Sequence, residues 1–185
     1  DGEKTFVDDI GVSHSVGDVR FSDMEKRYQA VTGSIGAVFH ICEASRIKMN
    51  ISRGFRSPNI SELASNGVHE GTQHFERGNA DLKPEYSLQG DLAYEFNGKV
   101  VDLDFAFFYN RVNNYIFLEA DATNTLVKAD APHYYKFTQS DAVLWGGEAC
   151  LHITPIPRLH FDNTFSLVKS HILEQPSKQS HLPFT

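Results

Sequence analysis

Apolar and polar residues alternate strictly along several stretches of the chain, which is the pattern of a β-strand with two different faces. From Val101 to Tyr109 every odd position is apolar or aromatic, whereas Asp102 and Asp104 lie between them. Such alternation recurs and predicts six strands near residues 30–41, 46–55, 86–96, 100–117, 134–154 and 158–169. We therefore expect an all-β protein.

The connections between these strands alternate in length. Short links lie at 42–45, 97–99 and 155–157, whereas long polar segments occupy roughly 1–28, 56–85, 118–133 and the residues from 170 onward. In an antiparallel meander every second connection falls at the same end, so the short turns share one end and the long loops the other. Transmembrane barrels have this asymmetry. The pattern predicts an antiparallel up-and-down meander of about six strands, a slice of a large transmembrane β-barrel.

Aromatic residues near the predicted strand ends agree with this hypothesis, because barrels carry aromatic girdles at both membrane interfaces. These residues are Tyr94, Phe96, Tyr109, Tyr115, Phe117, Tyr134, Tyr135 and Trp145. A soluble β-sandwich also uses aromatic strands, and we keep it as the alternative: a secreted or surface protein that binds carbohydrate or another protein.

Composition narrows the function classes. The chain has 17 basic and 24 acidic residues, a formal net charge of −7, which disfavours nucleic-acid binding. Hydrophobic residues make up 41% of the chain and aromatic residues 12%, so a disordered tail is excluded.

The sequence predicts no catalytic residue, metal site or cofactor. His69 and His74 stand five positions apart, whereas a helical zinc motif needs a spacing of four. Asp102 and Asp104 share a strand face, but no nucleophile or orienting partner accompanies them. We therefore expect a protein that is not an enzyme.

Two phrases carry a resemblance to a known family. Residues 50–63 read N-I-S-R-G-F-R-S-P-N-I-S-E-L, and residues 78–87 read G-N-A-D-L-K-P-E-Y-S. They closely resemble the G-F-R-A-P…E-L and G-N-x-D-L-K-P-E phrases of TonB-dependent outer-membrane receptors. Ser57 replaces the usual Ala, and Ala80 takes a position that is often Pro or Glu. With later phrases at 107–116 and 146–148, the likeness extends over most of the chain.

The resemblance implies an importer of a ferric siderophore, haem, cobalamin or a sugar in the Gram-negative outer membrane. Such receptors enclose a plug domain in a barrel of about 22 strands. Their partners are a TonB-type energy-coupling complex, reached through the plug, the ligand and outer-membrane lipid. Residues 1–185 are then a partial barrel domain, without the plug domain or the barrel-closing strands.

Within this resemblance the motif residues are expected to shape the barrel rim. Arg53, Arg56 and Lys83 lie at strand ends, where cations reach headgroups or internal carboxylates. Pro58 and Pro84 cannot donate to a strand ladder, so they belong outside strands or at their first residues. The residues given this structural role are Arg53, Gly54, Phe55, Arg56, Pro58, Glu62, Leu63, Gly78, Asn79, Asp81, Leu82, Lys83, Pro84 and Glu85.

The long connections 56–85 and 118–133 are expected to form an external vestibule for the ligand, most simply a ferric chelate. Polar and aromatic loop residues are the candidates for ligand contact. They are His69, Glu70, His74, Phe75, Arg77, His133 and Tyr134.

Overall fold

The computed structural model describes residues 5–7, 13–15, 25–69, 74–120 and 134–173. Within these ranges the chain forms ten strands and one short helix. They are β1 (Thr5–Val7), β2 (Ser13–Ser15), β3 (Gly33–Cys42), β4 (Ser45–Arg56), α1 (Ile60–Ala64), β5 (Asn66–His69), β6 (His74–Arg77), β7 (Glu85–Asn97), β8 (Val101–Ala120), β9 (Tyr134–Ile156) and β10 (Leu159–Ile172). The all-β prediction is confirmed.

The six long strands form the predicted antiparallel meander. Their order in the sheet is β3-β4-β7-β8-β9, with β10 paired to β9. The connection between β4 and β7 holds elements that the alternation did not predict, namely α1 and the hairpin β5–β6. In this connection β6 pairs with β9 in parallel, which departs from a purely antiparallel sheet. No helix in the described part of the chain is long and apolar enough to cross a membrane.

Short turns join β3 to β4, β7 to β8 and β9 to β10, as the sequence predicts. The turns occupy residues 43–44, 98–100 and 157–158. The connection between β8 and β9, residues 121–133, lies outside the described residues, and so does most of the second predicted vestibule loop.

The chain divides into two units. The first contains residues 1–29, 57–84 and 116–139, and the second contains residues 30–56, 85–115 and 140–185. Phe75 and Leu82 are buried in the first unit, whereas Val112, Ala142 and Ile172 are buried in the second. The second unit holds most of the meander, and the first holds α1 and the hairpin β5–β6.

The alternation becomes two chemically distinct faces in the second unit, because the strand register is continuous. Met49 pairs with Leu92, and Leu92 with Phe107, so one face stays apolar from strand to strand. We call it the apolar face. Its exposed members include Ile35, Phe39, Met49, Ile51, Leu92, Phe105, Phe107, Tyr109, Phe161, Phe165 and Leu167.

The opposite surface of these strands, the polar face, carries charged and amide side chains. They include Arg46, Lys48, Asn50, Asp91, Glu95, Asp104, His152 and Asp162. The apolar face exposes large apolar side chains on neighbouring strands, whereas soluble monomers rarely expose extended contiguous apolar patches. A sheet with one such face and one polar face is what a barrel wall between lipid and an aqueous lumen requires.

Candidate functional site

Helix α1 begins at a capping box built from the first family phrase. The backbone N–H of Glu62 donates to the Asn59 side chain at 2.8 Å, and the Asn59 N–H donates to the Glu62 carboxylate at 2.9 Å. Two backbone donors at the helix start are thereby satisfied. Glu62 is buried, so its carboxylate accepts this bond away from solvent.

The second family phrase packs on the end of the same helix. The Gly78 N–H donates to the Ser65 carbonyl at 2.6 Å, and the Asn79 N–H donates to the Glu62 carbonyl at 2.8 Å. A Cβ at Gly78 would lie 2.6 Å from the Ser65 nitrogen, so no side chain fits without a backbone shift. The parts of the two phrases that lie in the first unit, from residue 57 to 63 and from 78 to 84, thus belong to one local structure.

Replacing Asn59 by alanine is expected to destabilise α1 by about 1 kcal/mol, since it removes the capping side chain. Amide hydrogen exchange at Glu62 and Leu63 in the receptor measures this loss directly. Ser61→Ala is the matched control, because Ser61 is exposed in the same helix and is not the cap. Equal acceleration in both variants would contradict the capping role.

Residues 78–84, which lead from β6 to β7, are joined to β9 by a reciprocal pair of hydrogen bonds. The Lys83 N–H donates to Gln139 Oε1 at 2.8 Å, and Gln139 Nε2 donates to the Lys83 carbonyl at 2.6 Å. Gln139 carried no signal in the sequence, because its partner lies 56 residues away. Both bonds are made by the Lys83 backbone, so its ammonium group takes no part in them.

Aromatic rings stack across the parallel pair β6–β9. The Phe75 and Tyr134 ring centroids are 4.7 Å apart with an interplanar angle of 13°, and those of His74 and Tyr135 are also 4.7 Å apart, at 26°. Phe75 is 2% exposed, so its ring packs in the core of the first unit. His74 is half-buried and keeps part of its surface open.

The other candidates for ligand contact are placed less fully. Arg77 ends β6 and is exposed. His69 ends β5, where its backbone pairs with that of His74. Glu70 and His133 lie outside the described residues. In the part of the chain that the structure describes, no group of three or more His, Cys, Asp and Glu side chains is arranged to hold a metal ion.

The two arginines of the first phrase point to opposite faces. Arg56 forms a two-pronged ion pair with Glu85, with Nε at 2.8 Å and Nη2 at 2.6 Å from the two carboxylate oxygens. Arg53 instead lies over the Tyr86 ring, with its Cζ 5.6 Å from the ring centroid. The sequence left open whether these cations reach internal carboxylates or headgroups, and the structure gives each one a different environment.

Ion pairs also cross the strands of the polar face. Arg46 and Lys48 both pair with Glu95, and Asn50 donates to Asp91 at 3.1 Å. A groove of about 430 Å³ lies on this face. Its lining includes Lys48, Asn50, Asp91, Phe108, Glu148 and Val168.

An acidic side chain joins β9 to β8. Asp141 accepts hydrogen bonds from the Asn113 side chain at 2.9 Å and from the Asn114 N–H at 3.1 Å, and Arg111 pairs with it at 3.3 Å. Asn114 has φ 55°, in the left-handed region that asparagine tolerates better than most residues. The Asp141 carboxylate thus holds β8 at the point where its backbone leaves the extended conformation.

The antiparallel meander, its two faces and the two motif phrases together define a segment of an outer-membrane-type β-barrel. The chain belongs to the TonB-dependent receptor-like β-barrel family, whose model matches residues 6–168.

Solved structures share this fold. The siderophore receptor PirA from Pseudomonas aeruginosa is 19% identical with a TM-score of 0.62, over 76% of this chain and 28% of that one. The copper transporter OprC is 16% identical with a TM-score of 0.61, over 77% and 20%. A mutant ferric enterobactin receptor from Pseudomonas aeruginosa, solved with enterobactin, is 21% identical with a TM-score of 0.54, over 77% and 22%. The chain thus spans between a fifth and three tenths of their length.

Proposed function

We propose that this chain is part of an outer-membrane receptor for the TonB-energised uptake of a ferric siderophore or a similarly scarce nutrient. The observation that carries the proposal is the exposed apolar face opposite a polar face, in a chain of this family. Lipid would cover the first face, and the second would line the lumen. The plug domain and the closing strands would come from parts of the receptor outside residues 1–185.

Metal chelates are the favoured ligand class. The names of the similar structures refer to siderophores, ferric enterobactin and copper. In this receptor the contacts would come from His69, Glu70, His74, Arg77, His133 and Tyr134. Phe75, a further candidate, is buried and would support the site through its stacking on Tyr134. Transport of this kind takes its energy from the TonB complex, so it needs no catalytic residue.

The alternative, a secreted β-sandwich, finds no support in the second unit. A sandwich needs a second sheet packed on the apolar side of the first. In the described residues of this unit, Phe39, Phe105 and Phe165 instead remain exposed.

Growth tests the proposal. A strain that lacks the full receptor should fail to use one iron source from a panel of ferric siderophores and haem, and the intact gene should restore growth. Restoration should be lost in a strain without TonB. Rescue that persists without TonB would contradict energised uptake, and failure of every ferric ligand, with rescue by cobalamin or a glycan, would overturn the iron proposal.

Surface labelling tests the topology. In a receptor with Cys42 and Cys150 replaced by serine, Ile60→Cys should react with a membrane-impermeant maleimide on whole cells, since α1 lies in a long connection. Val100→Cys, in a short turn, should react only after lysis. Both residues are exposed, so burial within the protein does not separate them. If only Val100→Cys is labelled on whole cells, the short turns face outward and the proposed topology is wrong.

A further inference from the structure

Three cations border the apolar face near the end where the long connections begin. Strands β4, β8 and β10 all run toward this end. In each, an apolar residue on this face is followed two positions later by a basic residue on the same face. The pairs are Ile51 and Arg53, Tyr109 and Arg111, and Leu167 and Lys169. We call the three basic residues the cation belt.

Two members of the belt lie on aromatic rings of the neighbouring strands. Arg53 lies over Tyr86 at 5.6 Å, and Lys169 Nζ lies 5.7 Å from the centroid of the Trp145 ring. Among the described residues neither has a carboxylate within ion-pair distance. Their charges are therefore available to a ligand, while the rings hold the side chains in place.

The third member occupies the same row as the first. Arg53 pairs with Leu88, and Leu88 pairs with Arg111, which sets the two arginines two strand spacings apart, roughly 10 Å. Arg111 contacts Asp141 at 3.3 Å, but its side chain remains 52% exposed. Two arginines in the same row of one face can each meet a phosphate of a ligand that carries more than one.

Basic residues on the polar face differ from the belt in that they form ion pairs with glutamates. Arg46 and Lys48 pair with Glu95, and Arg56 pairs with Glu85. In the described part of the chain these polar-face cations have acidic partners, whereas of the belt only Arg111 has one. Charge at the edge of a lipid-covered surface meets headgroups rather than an aqueous lumen.

We propose that the cation belt binds the phosphate groups of an anionic lipid in the membrane leaflet on the long-connection side. This rests on the proposed function, since it requires the apolar face to contact lipid. Arginine fits phosphate through its planar fork of donors, and lysine supplies a point charge. Trp145 and Tyr86 occupy the interfacial position that these residues favour.

Lipid titration of the full receptor tests the site. The probes are a bis-phosphorylated glycolipid and the same glycolipid without phosphates, added to the receptor in detergent and followed by native mass spectrometry. We expect R53Q/K169Q to bind the phosphorylated probe about 25-fold more weakly, because the loss of each cation lowers the affinity about fivefold. The control K99Q/R158Q removes one lysine and one arginine from the short turns and should leave binding unchanged.

The outcomes separate this inference from the proposed function. Binding by R53Q/K169Q within twofold of wild type, or equal binding of the probe without phosphates, would overturn the lipid site. An equal loss in the control variant would show non-specific charge attraction and would overturn it too. A receptor that does not fractionate with the outer membrane as a folded barrel would instead refute the proposed function.

Discussion

Replacing Glu85 by alanine is expected to lower the free energy of unfolding of the receptor barrel by about 3 kcal/mol. The Glu85 side chain is only 11% exposed and accepts two hydrogen bonds from the Arg56 guanidinium. Alanine removes this two-pronged partner from a charge that is partly desolvated. The Arg56 side chain is 42% exposed, so water recovers part of the loss and the effect falls at the lower end for broken buried pairs.

A denaturant titration of the receptor in detergent measures the change through its midpoint. Asp162→Ala is the control, because Asp162 pairs with His152 at 2.6 Å but is 70% exposed. Exposed pairs contribute at most about 1 kcal/mol. Equal losses in the two variants would show that burial does not set the strength of the Arg56–Glu85 pair.

Strand positions could be predicted closely from the sequence, because a two-sided strand repeats its pattern at every second residue. The predicted strand 86–96 is β7, Glu85–Asn97, and the predicted strand 46–55 is β4, Ser45–Arg56. The pattern stops where turn residues interrupt it, so the ends of these two strands agree within a residue. Each strand carries this signal locally, and no knowledge of its partner is needed.

The hairpin β5–β6 could not be predicted in this way. Each of its strands has four residues, too few for a period to emerge. Its position depends on the parallel pairing with β9 and on the stacking of Phe75 against Tyr134, which are distant in sequence. Contacts of that range are set by tertiary packing, and alternation carries no information about them.

The end of β8 shows a second limit. The sequence predicts a strand that ends near 117, whereas β8 continues to Ala120. Asn114 interrupts the extended backbone with φ 55°, and beyond it the neighbours Ile116 and Phe117 are both buried. A change of backbone conformation inside a strand shifts which residues point inward, so the strict period fails there.

The motif residues were recognisable from the sequence, but their contacts were not. The Asn59–Glu62 cap is local and has a known spacing, so a capping signal was present. The hydrogen bonds of Lys83 to Gln139 and of Gly78 to Ser65 join segments whose proximity no sequence pattern indicates. The roles predicted for the ligand-contact residues stay predictions.

Replacing Gly146 by valine is expected to lower the free energy of unfolding by about 3 kcal/mol, through overpacking. A Cβ at this position would lie 2.9 Å from Phe108 Cε1 and 3.1 Å from its Cζ, and would also press on the Leu167 carbonyl oxygen. The Phe108 ring therefore lies close against β9 because residue 146 has no side chain. Glycine inside a strand often marks such a close approach.

Gly90→Val is the matched control, because a Cβ at Gly90, also within a long strand, would meet no atom within 4 Å. Denaturant titration should show little change in this variant. Adding Phe108→Ala to Gly146→Val should recover part of the loss, with a coupling energy of about 1 kcal/mol or more, since the two residues contact each other. If Gly90→Val is as destabilising as Gly146→Val, the loss comes from the glycine backbone itself. If the double variant shows no coupling, the loss comes from the clash with the Leu167 carbonyl oxygen. In both cases the contact with Phe108 is not its cause.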